Sequence, residues 1–280
     1  MIKKLLSTVC LAFFGRKNYY RFARFLWIDA RRDAANAMSS NGEFLLQQKI
    51  VNLAKSHQNP VMFDIGANVG AYSERFLLNA MSEGLAEQMK LYCFEPNPNC
   101  VAEIEKRFSK ISNSSCATII QQVITDKPGR ISFYITGETA GSSSLRIDGK
   151  TQDATPIEVE CVTLDAFCVE HRISNILFAK VDTEGNDMRV LEGAKQLLEE
   201  GRIQYLQFEY NHRWILFRNF LKDVFDLIEP MGYQVAKVTG KGLEVYPHWH
   251  FELEVFWEGN YLIGKDFAQL GLVELKSAIV

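Results

Sequence analysis

The six cysteines of this 280-residue chain (Cys10, Cys93, Cys100, Cys116, Cys161, Cys168) include no C-x-x-C pair, and no complete G-x-G-x-x-G turn is present. The one N-terminal apolar run, Leu5 to Phe14, falls well short of the about 20 residues that a membrane-spanning helix needs. Each absence excludes something. Without paired cysteine motifs, the thiols pack as small hydrophobes in strand-like runs, and a reducing, cytoplasmic setting follows. The short run behind Lys3-Lys4 is followed by Gly15-Arg16-Lys17 rather than a small-x-small cleavage site, which argues against secretion. The missing second glycine argues against a dinucleotide, whose pyrophosphate needs bare backbone at that turn.

The sequence does contain Val61-Met-Phe-Asp-Ile-Gly-Ala-Asn-Val-Gly70 and, after it, an apolar run ending Tyr92-Cys-Phe-Glu-Pro96. Val61 to Ile65 suits a strand buried on both faces, Gly66 and Gly70 bracket a turn, and Ala71 to Ala80 takes helical spacing. Asn68 stands where a dinucleotide turn has glycine. It tolerates left-handed backbone angles, crowds a pyrophosphate and offers an amide to a smaller ligand. Glu95, about 25 residues beyond Gly70, sits where an acid accepts hydrogen bonds from ribose hydroxyls and repels a 2′-phosphate. Asp64 adds a second carboxylate, able to hold an ammonium group or structure the turn. A ligand with an ammonium, a free ribose and no phosphate is S-adenosylmethionine.

Asp64-x-Gly66-x-Asn68-x-Gly70, Phe94-Glu95-Pro96, Thr163-Leu164-Asp165 and Lys180-Val-Asp182-Thr-Glu184-Gly-Asn-Asp187 together resemble the FkbM family of S-adenosylmethionine-dependent methyltransferases, from Val61 to Glu209. Thr183 departs from the family's usual aliphatic residue, and Asn186-Asp187 from its commoner Ala-Glu. Neither change removes a carboxylate from the pattern, so both bear on substrate choice more than on reaction type. The resemblance implies a class I, Rossmann-like fold: a doubly wound, mainly parallel seven-stranded sheet with helices on both faces. It also implies cofactor contacts at Asp64, Gly66, Asn68, Gly70, Ser73, Glu95, Pro96 and Asn97. Fold analogy adds adenine contacts at Ile124-Thr125-Asp126.

With 47% hydrophobic residues the chain can bury one large α/β core, assigned to residues 59–280, behind an N-terminal helical extension at 1–58. Residues 1–32 hold eight Lys or Arg against Asp29 alone, so this segment is +7 and the remainder −10. Lys17, Arg21, Arg24 and Arg31 fall on one helical face and Tyr19, Phe22, Leu26 and Ala30 on another. The favoured reading is helices packed against the catalytic domain, partly covering the cofactor mouth. Peripheral contact with the inner face of a membrane, through attraction to anionic lipid, is the alternative.

Beyond the extension, Gly42 to Lys55 reads as a helix leaning on the sheet. Strands are expected at Val61 to Ile65, Lys90 to Glu95, Ala117 to Ile124, Ile176 to Asp182, Ile203 to Tyr210, Tyr233 to Thr239 and Phe251 to Trp257. Right-handed crossovers would gather Asp64, Glu95, Asp182 and Glu209 along one carboxyl edge, where ligands bind open α/β sheets. Arg130 to Ile135 and Ile157 to Val162 read as an inserted hairpin whose polar connection, Thr136 to Pro156, exceeds the about 12 to 15 residues of ordinary loops and suggests a substrate lid. Ser143 and Ser144 there match the family's Ser-Ser-Leu element and are expected acceptor contacts, together with His248.

Methyl transfer to oxygen rests mainly on alignment, worth roughly 7 to 11 kcal/mol. A hydroxyl acceptor also gains from a general base, worth about 10² to 10⁴-fold. A carboxylate pressed on the sulfonium would stabilise the ground state more than the transition state. Asp182 is therefore assigned to orientation, and the base is left open among Asp182, Glu184, Glu209 and His212. His212 suits proton removal near neutrality. Asn186-Asp187 is explained as a helix start. Tyr210, Trp214, Phe217 and Trp249 could form a sugar platform or belong to the core.

The expected activity is methyl transfer from S-adenosylmethionine to a hydroxyl of a sugar, glycan or other polyhydroxylated small molecule. The runners-up are a nicotinamide-dependent oxidoreductase and a silent nucleoside-binding or membrane scaffold. No metal site is expected. Nucleic acid is not an expected partner, since the basic residues concentrate away from an acidic crevice.

Overall fold

The structure, a computed structural model, describes residues 2–33, 37–112, 114–137, 139, 141, 143–147 and 154–279. It opens with α1 (Ile2–Ala30), bent at Gly15 where φ 68° and ψ 161° leave the helical region, and α2 (Glu43–Ala54). An alternation follows: β1 (Val61–Ile65), α3 (Ala71–Ser82), β2 (Lys90–Phe94), α4 (Pro98–Phe108) and β3 (Ala117–Ile120). β4 (Val123–Ile124) precedes a hairpin of β5 (Gly129–Thr136) and β6 (Ala154–Val162). Next come α5 (Leu164–Glu170), β7 (Ile176–Val181), α6 (Asp187–Glu192), α7 (Lys195–Glu199) and β8 (Ile203–Tyr210). α8 (Trp214–Phe217), α9 (Leu221–Ile228), β9 (Gln234–Thr239), β10 (Gly242–Tyr246), β11 (Gly259–Gly264) and β12 (Glu274–Leu275) finish the chain.

Nine strands form the large sheet, in the order β12-β10-β9-β11-β8-β7-β1-β2-β3. The neighbours from β3 to β8 are parallel, and β11 runs antiparallel to both β8 and β9. Seven of these strands, β3 to β9 across that order, are the doubly wound sheet of the class I methyltransferase fold. β10 and β12 lengthen its far edge.

Successive residues of β1 feed opposite faces, which is what a strand covered on both sides requires. Met62 joins a cluster with Leu46, Ile50, Phe76, Leu77 and Ile104 of α2, α3 and α4. Phe63 and Ile65 join the other, with Phe167, Val190, Leu197, Val224 and Phe225 of α5 to α9. A helix from Gly42 to Lys55 was expected, and α2 fills it, packing into the same core as the sheet. The inserted hairpin is also present, β5 pairing antiparallel with β6 from Gly129↔Cys161 to Thr136↔Ala154. With β4 it makes a separate three-stranded sheet over a small core of Val123, Phe133, Leu145, Val159 and Phe217.

Three expectations need correction. The run Ala117 to Ile124 is not one strand: β3 ends at Ile120, and β4 leaves the large sheet to pair with β6. Phe251 to Trp257 is not a strand despite its alternation. Residues 251–253 form a 3-10 turn, and Glu254 accepts the backbone N–H groups of Leu221 and Lys222 at 3.2 and 2.6 Å, fastening the start of α9. The last core strand is Gly259–Gly264 instead, and the β9–β10 hairpin about Gly240-Lys241 was not anticipated.

The third concerns α1, which contributes no residue to the cavity at the carboxyl edge of the sheet. Its apolar arc faces solvent, with Phe13 83% and Phe25 62% exposed. Its C-terminal end is what docks: Arg24 lies 5.6 Å from the Trp257 ring centroid, and Arg31 Nε donates to Asp33 Oδ2 at 3.0 Å. Arg32 pairs with Glu244 at 3.0 Å, and the buried Lys237 ammonium pairs with Asp33. Charge, rather than apolar burial, fixes this junction.

Candidate active site

A cavity of about 430 Å³ opens at the carboxyl ends of β1, β2, β7 and β8. This is a volume suited to a small ligand. Its position follows from topology, because the order of connections reverses between β1 and β7.

The turn after β1 forms one wall. Gly66 has φ 87°, and a Cβ there would lie 1.9 Å from the Asp182 carbonyl oxygen, so only glycine lets the β1 and β7 loops touch. Asn68 takes φ 49°, the left-handed geometry expected of it. Its N–H donates to Glu95 Oε2 at 2.8 Å, while Glu95 Oε1 accepts the Asn97 N–H at 2.8 Å. Thus Asn68, Glu95 and Asn97 form one clasp, and all three line the cavity, with Gly66 and Pro96. Burial raises the Glu95 carboxyl to about 7 against the two N–H donors that lower it. Each carboxylate oxygen keeps a further lone pair.

Asp64, Ser73 and Gly70 do not line the cavity. Ser73 Oγ donates to Asp64 Oδ2 at 2.5 Å beneath the turn, both side chains being buried. Gly70, φ 76°, starts α3, where a side chain would press on Ile104. These three brace the turn. Asp126 is a further correction: its carboxylate meets the Thr125 hydroxyl at 3.1 Å and Lys127 at 4.0 Å, and the third segment contributes Gln122, Val123 and Ile124 instead. The segment leaves the large sheet after β3, so the cavity is reached before Asp126.

The opposite wall is acidic, with Asp182, Glu184 and Glu209 all on the cavity and His212 exposed at its rim. Buried Lys180 donates to Asp182 Oδ2 at 2.7 Å, anchoring that carboxylate. Glu184, at φ 57°, pairs with Arg213 Nε at 2.9 Å. Burial and the nearby Asp182 outweigh Arg213 and lift the Glu184 carboxyl to about 8. Glu209 is pushed well above the carboxylate range by burial and by Asp182, Glu184, Asp187 and Glu258 around it, although Asn211 Nδ2 donates to its Oε2 at 2.6 Å. Asp187, raised to about 7 by burial and Asp182, accepts from Thr183 Oγ1 at 3.1 Å and Gly185 N–H at 3.2 Å, holding the loop.

Part of the expected lid, residues 138, 140, 142 and 148–153, lies outside the described residues. Gly141 and Ser143 line the cavity; Ser144 does not, and its Oγ donates to the Glu184 carbonyl at 2.9 Å. His248 lies away from the site, exposed beside Glu229 at 3.7 Å. Tyr210, Trp214 and Phe217 are buried core, and Trp249 Nε1 donates to Glu254 at 3.0 Å, so none is a sugar platform. Phe133 of β5 is the aromatic that faces the cavity from the hairpin.

Several lining residues had no assigned role in the sequence reading: Asn211, Arg213, Glu258, Gln122 and Phe133. Asn211 and Arg213 flank His212 and were within reach of the same positional argument. Glu258 was hidden by the misplaced strand. Because β11 is antiparallel to β8, its start, not its end, comes to the carboxyl edge, Gly259 facing Tyr210.

A doubly wound sheet whose switch point carries a glycine turn clasped by an acid, opposite a bank of acids, has the architecture of a Rossmann-like methyltransferase. The chain belongs to the FkbM methyltransferase family: the family profile, described as the methyltransferase FkbM domain, matches residues 64–235, more than half of its length. A curated relative, the 2-O-methyltransferase NoeI of Sinorhizobium fredii, is 26% identical over 176 residues, covering 58% of this chain and 68% of the relative. Among solved structures, a methyltransferase FkbM from Methylobacillus flagellatus KT is similar at 14% identity and a TM-score of 0.45. That alignment covers 73% of this chain and 43% of that longer one. A precorrin-6y C5,15-methyltransferase from Geobacter metallireducens GS-15 aligns at 12% identity and a TM-score of 0.41, over 79% of this chain and 87% of the other.

Proposed function

We propose that this methyltransferase uses S-adenosylmethionine as donor and a hydroxyl oxygen of a sugar, glycan or other polyhydroxylated small molecule as acceptor. The observation that carries the donor is the Asn68–Glu95–Asn97 clasp. Both Glu95 oxygens are held by backbone N–H groups, which leaves lone pairs on the cavity side for a ribose diol. Gly66 lets the β1 and β7 loops close against each other beside the cavity, and Val123 and Ile124 offer an apolar wall for a purine. Bound there, the donor supplies an electrophilic methyl group on a positively charged sulfur.

Asp182, fixed by Lys180, orients polar groups at the cavity floor. Glu184 and Glu209 repel one another when both are charged, so the pair retains a proton into the neutral range. The member that is ionised takes the acceptor's proton, and Arg213 and Asn211 hold the two carboxylates in place. The Ser144 contact to the Glu184 carbonyl ties the hairpin loop to this pair, which supports a part in acceptor selection for Gly141, Ser143 and Phe133 on the same cavity. The hydroxyl specificity is supported by the name of NoeI, a 2-O-methyltransferase.

Six free thiols, four of them buried, support a cytoplasmic setting. The test is transfer of a labelled methyl group from S-adenosylmethionine onto a panel of glycans and small polyols. A methyl ether formed by wild type and lost in Glu184→Gln/Glu209→Gln supports the reading, and methylation confined to nitrogen or carbon acceptors overturns it.

A further inference from the structure

We propose that α1 is a membrane-docking element that lies in the surface of a bilayer carrying anionic headgroups. No helix among the described residues is long and apolar enough to cross a membrane, so α1 is read as lying along one. Two features of its surface point to this partner.

The first is a continuous apolar face left exposed among the described residues. Gly15 divides α1 into an apolar leg, with Val9, Leu11, Phe13 and Phe14 exposed, and a second leg exposing Phe22, Leu26 and Trp27. Phe14 and Phe22 stack across the bend with ring centroids 6.4 Å apart, joining the two apolar surfaces. Phe22, Leu26 and Tyr19 fall on one arc of the second leg by helical spacing. Arg24, on the other arc, is the residue that leans on Trp257 of the catalytic domain. The helix thus turns its apolar arc outward, the reverse of a helix packed on a core.

The second is charge. Lys3, Lys4, Arg16, Lys17, Arg21 and Arg24 are all exposed along α1. Aromatic residues on an apolar face bordered by cations match a headgroup interface, where the rings enter the acyl boundary and the cations meet phosphates. An isologous pairing of two α1 helices through the apolar arc would leave these cations unmatched. Anionic lipid complements them.

The junction transmits this docking to the enzyme. Arg31, Asp33 and Lys237 form a buried ion cluster, and Arg32 reaches Glu244, so the end of α1 is fastened to the sheet. Trp257, against which Arg24 rests, precedes Glu258 of the cavity wall. The contact of α1 with the catalytic domain thus adjoins this wall in sequence.

The experiment is flotation of the full chain with vesicles of phosphatidylcholine alone or with phosphatidylglycerol, alongside light scattering. Wild type should float with anionic vesicles and be released as salt rises from about 0.1 to about 1 M. Arg16→Gln/Lys17→Gln/Arg21→Gln should lower partitioning by about fivefold per charge. Phe22→Glu/Leu26→Glu should abolish it with an unchanged melting temperature, because both side chains are exposed. Quenching of fluorescence by brominated lipid should fall in Trp27→Phe. A chain that stays unbound to anionic vesicles, or that is an oligomer dissociated by Phe22→Glu/Leu26→Glu without vesicle binding, overturns the proposal.

Discussion

The two walls of the cavity both bury carboxylates at strand ends, yet they treat them differently. On the β1–β2 side, Glu95 is alone among acids lining the cavity and has each oxygen engaged by a backbone N–H. On the β7–β8 side, Asp182, Glu184 and Glu209 crowd one another, and each is steered by a neighbouring side chain: Lys180, Arg213 and Asn211. Backbone clasping fixes geometry, whereas acid crowding raises proton affinity. In the proposed reaction, the first wall holds the donor and the second accepts the proton.

The largest way to break the comparison is to join the walls by force. Gly66→Ala puts a methyl group into the Asp182 carbonyl at a positive φ, and should cost about 3 kcal/mol or more of stability and eliminate donor binding, read by denaturant unfolding and calorimetry. Next, Glu209→Gln and Glu184→Gln should each lower kcat by about 10² to 10⁴-fold, the worth of a general base, while donor affinity changes by less than about threefold. A comparable loss in donor affinity would erase the division between the walls.

Glu95→Gln should do the opposite, weakening S-adenosylhomocysteine by about 10 to 100-fold, as expected for hydrogen bonds to a charged group, with kcat at saturating donor nearly retained. A finer test uses pH. The Glu184 carboxyl binds its proton more tightly folded, at about 8, than in the unfolded chain at about 4.5, so the folded state carries the extra proton between those values. Stability of the ligand-free protein should therefore fall as pH rises from about 4.5 to about 8, and Glu184→Gln should flatten that slope in thermal unfolding. The smallest effect is expected from Ser144→Ala, which removes one bond to the Glu184 loop: about 1 kcal/mol of stability, and an acceptor KM raised several-fold with donor affinity unchanged.

The geometry of the β1–β2 wall was legible in the sequence because it is local. Gly66, Asn68 and Glu95 sit in two short segments whose strand–turn–helix pattern fixes their positions, and the observed φ of Asn68 is the one its residue type invites. The acid wall was legible only as a set of strand-end carboxylates. Which of them meet, and which side chains steer them, depends on long-range packing: Arg213 reaches Glu184 across loops from β7 and β8, and Glu258 arrives from an antiparallel strand far along the chain. Asp64 and Ser73 show the converse limit. Position put them beside the turn, but strand pleat turned the Asp64 carboxylate under it, away from the cavity. The alternation in Phe251 to Trp257 misled for a similar reason, since Glu254 is held by the start of α9 rather than by a neighbouring strand.

The central claim is that Glu95 grips the ribose of S-adenosylmethionine in its ionised form, and calorimetric titration of wild type and Glu95→Gln with S-adenosylhomocysteine between pH 5.5 and 8.5, a span of about 1.5 units on either side of the Glu95 titration near 7, tests it most directly. Hydrogen bonding favours the charged carboxylate, so wild-type affinity should climb through about pH 7 to a plateau with proton release on binding, and the variant should bind weakly with no such rise. Equal affinities for the two proteins across that range would contradict the account.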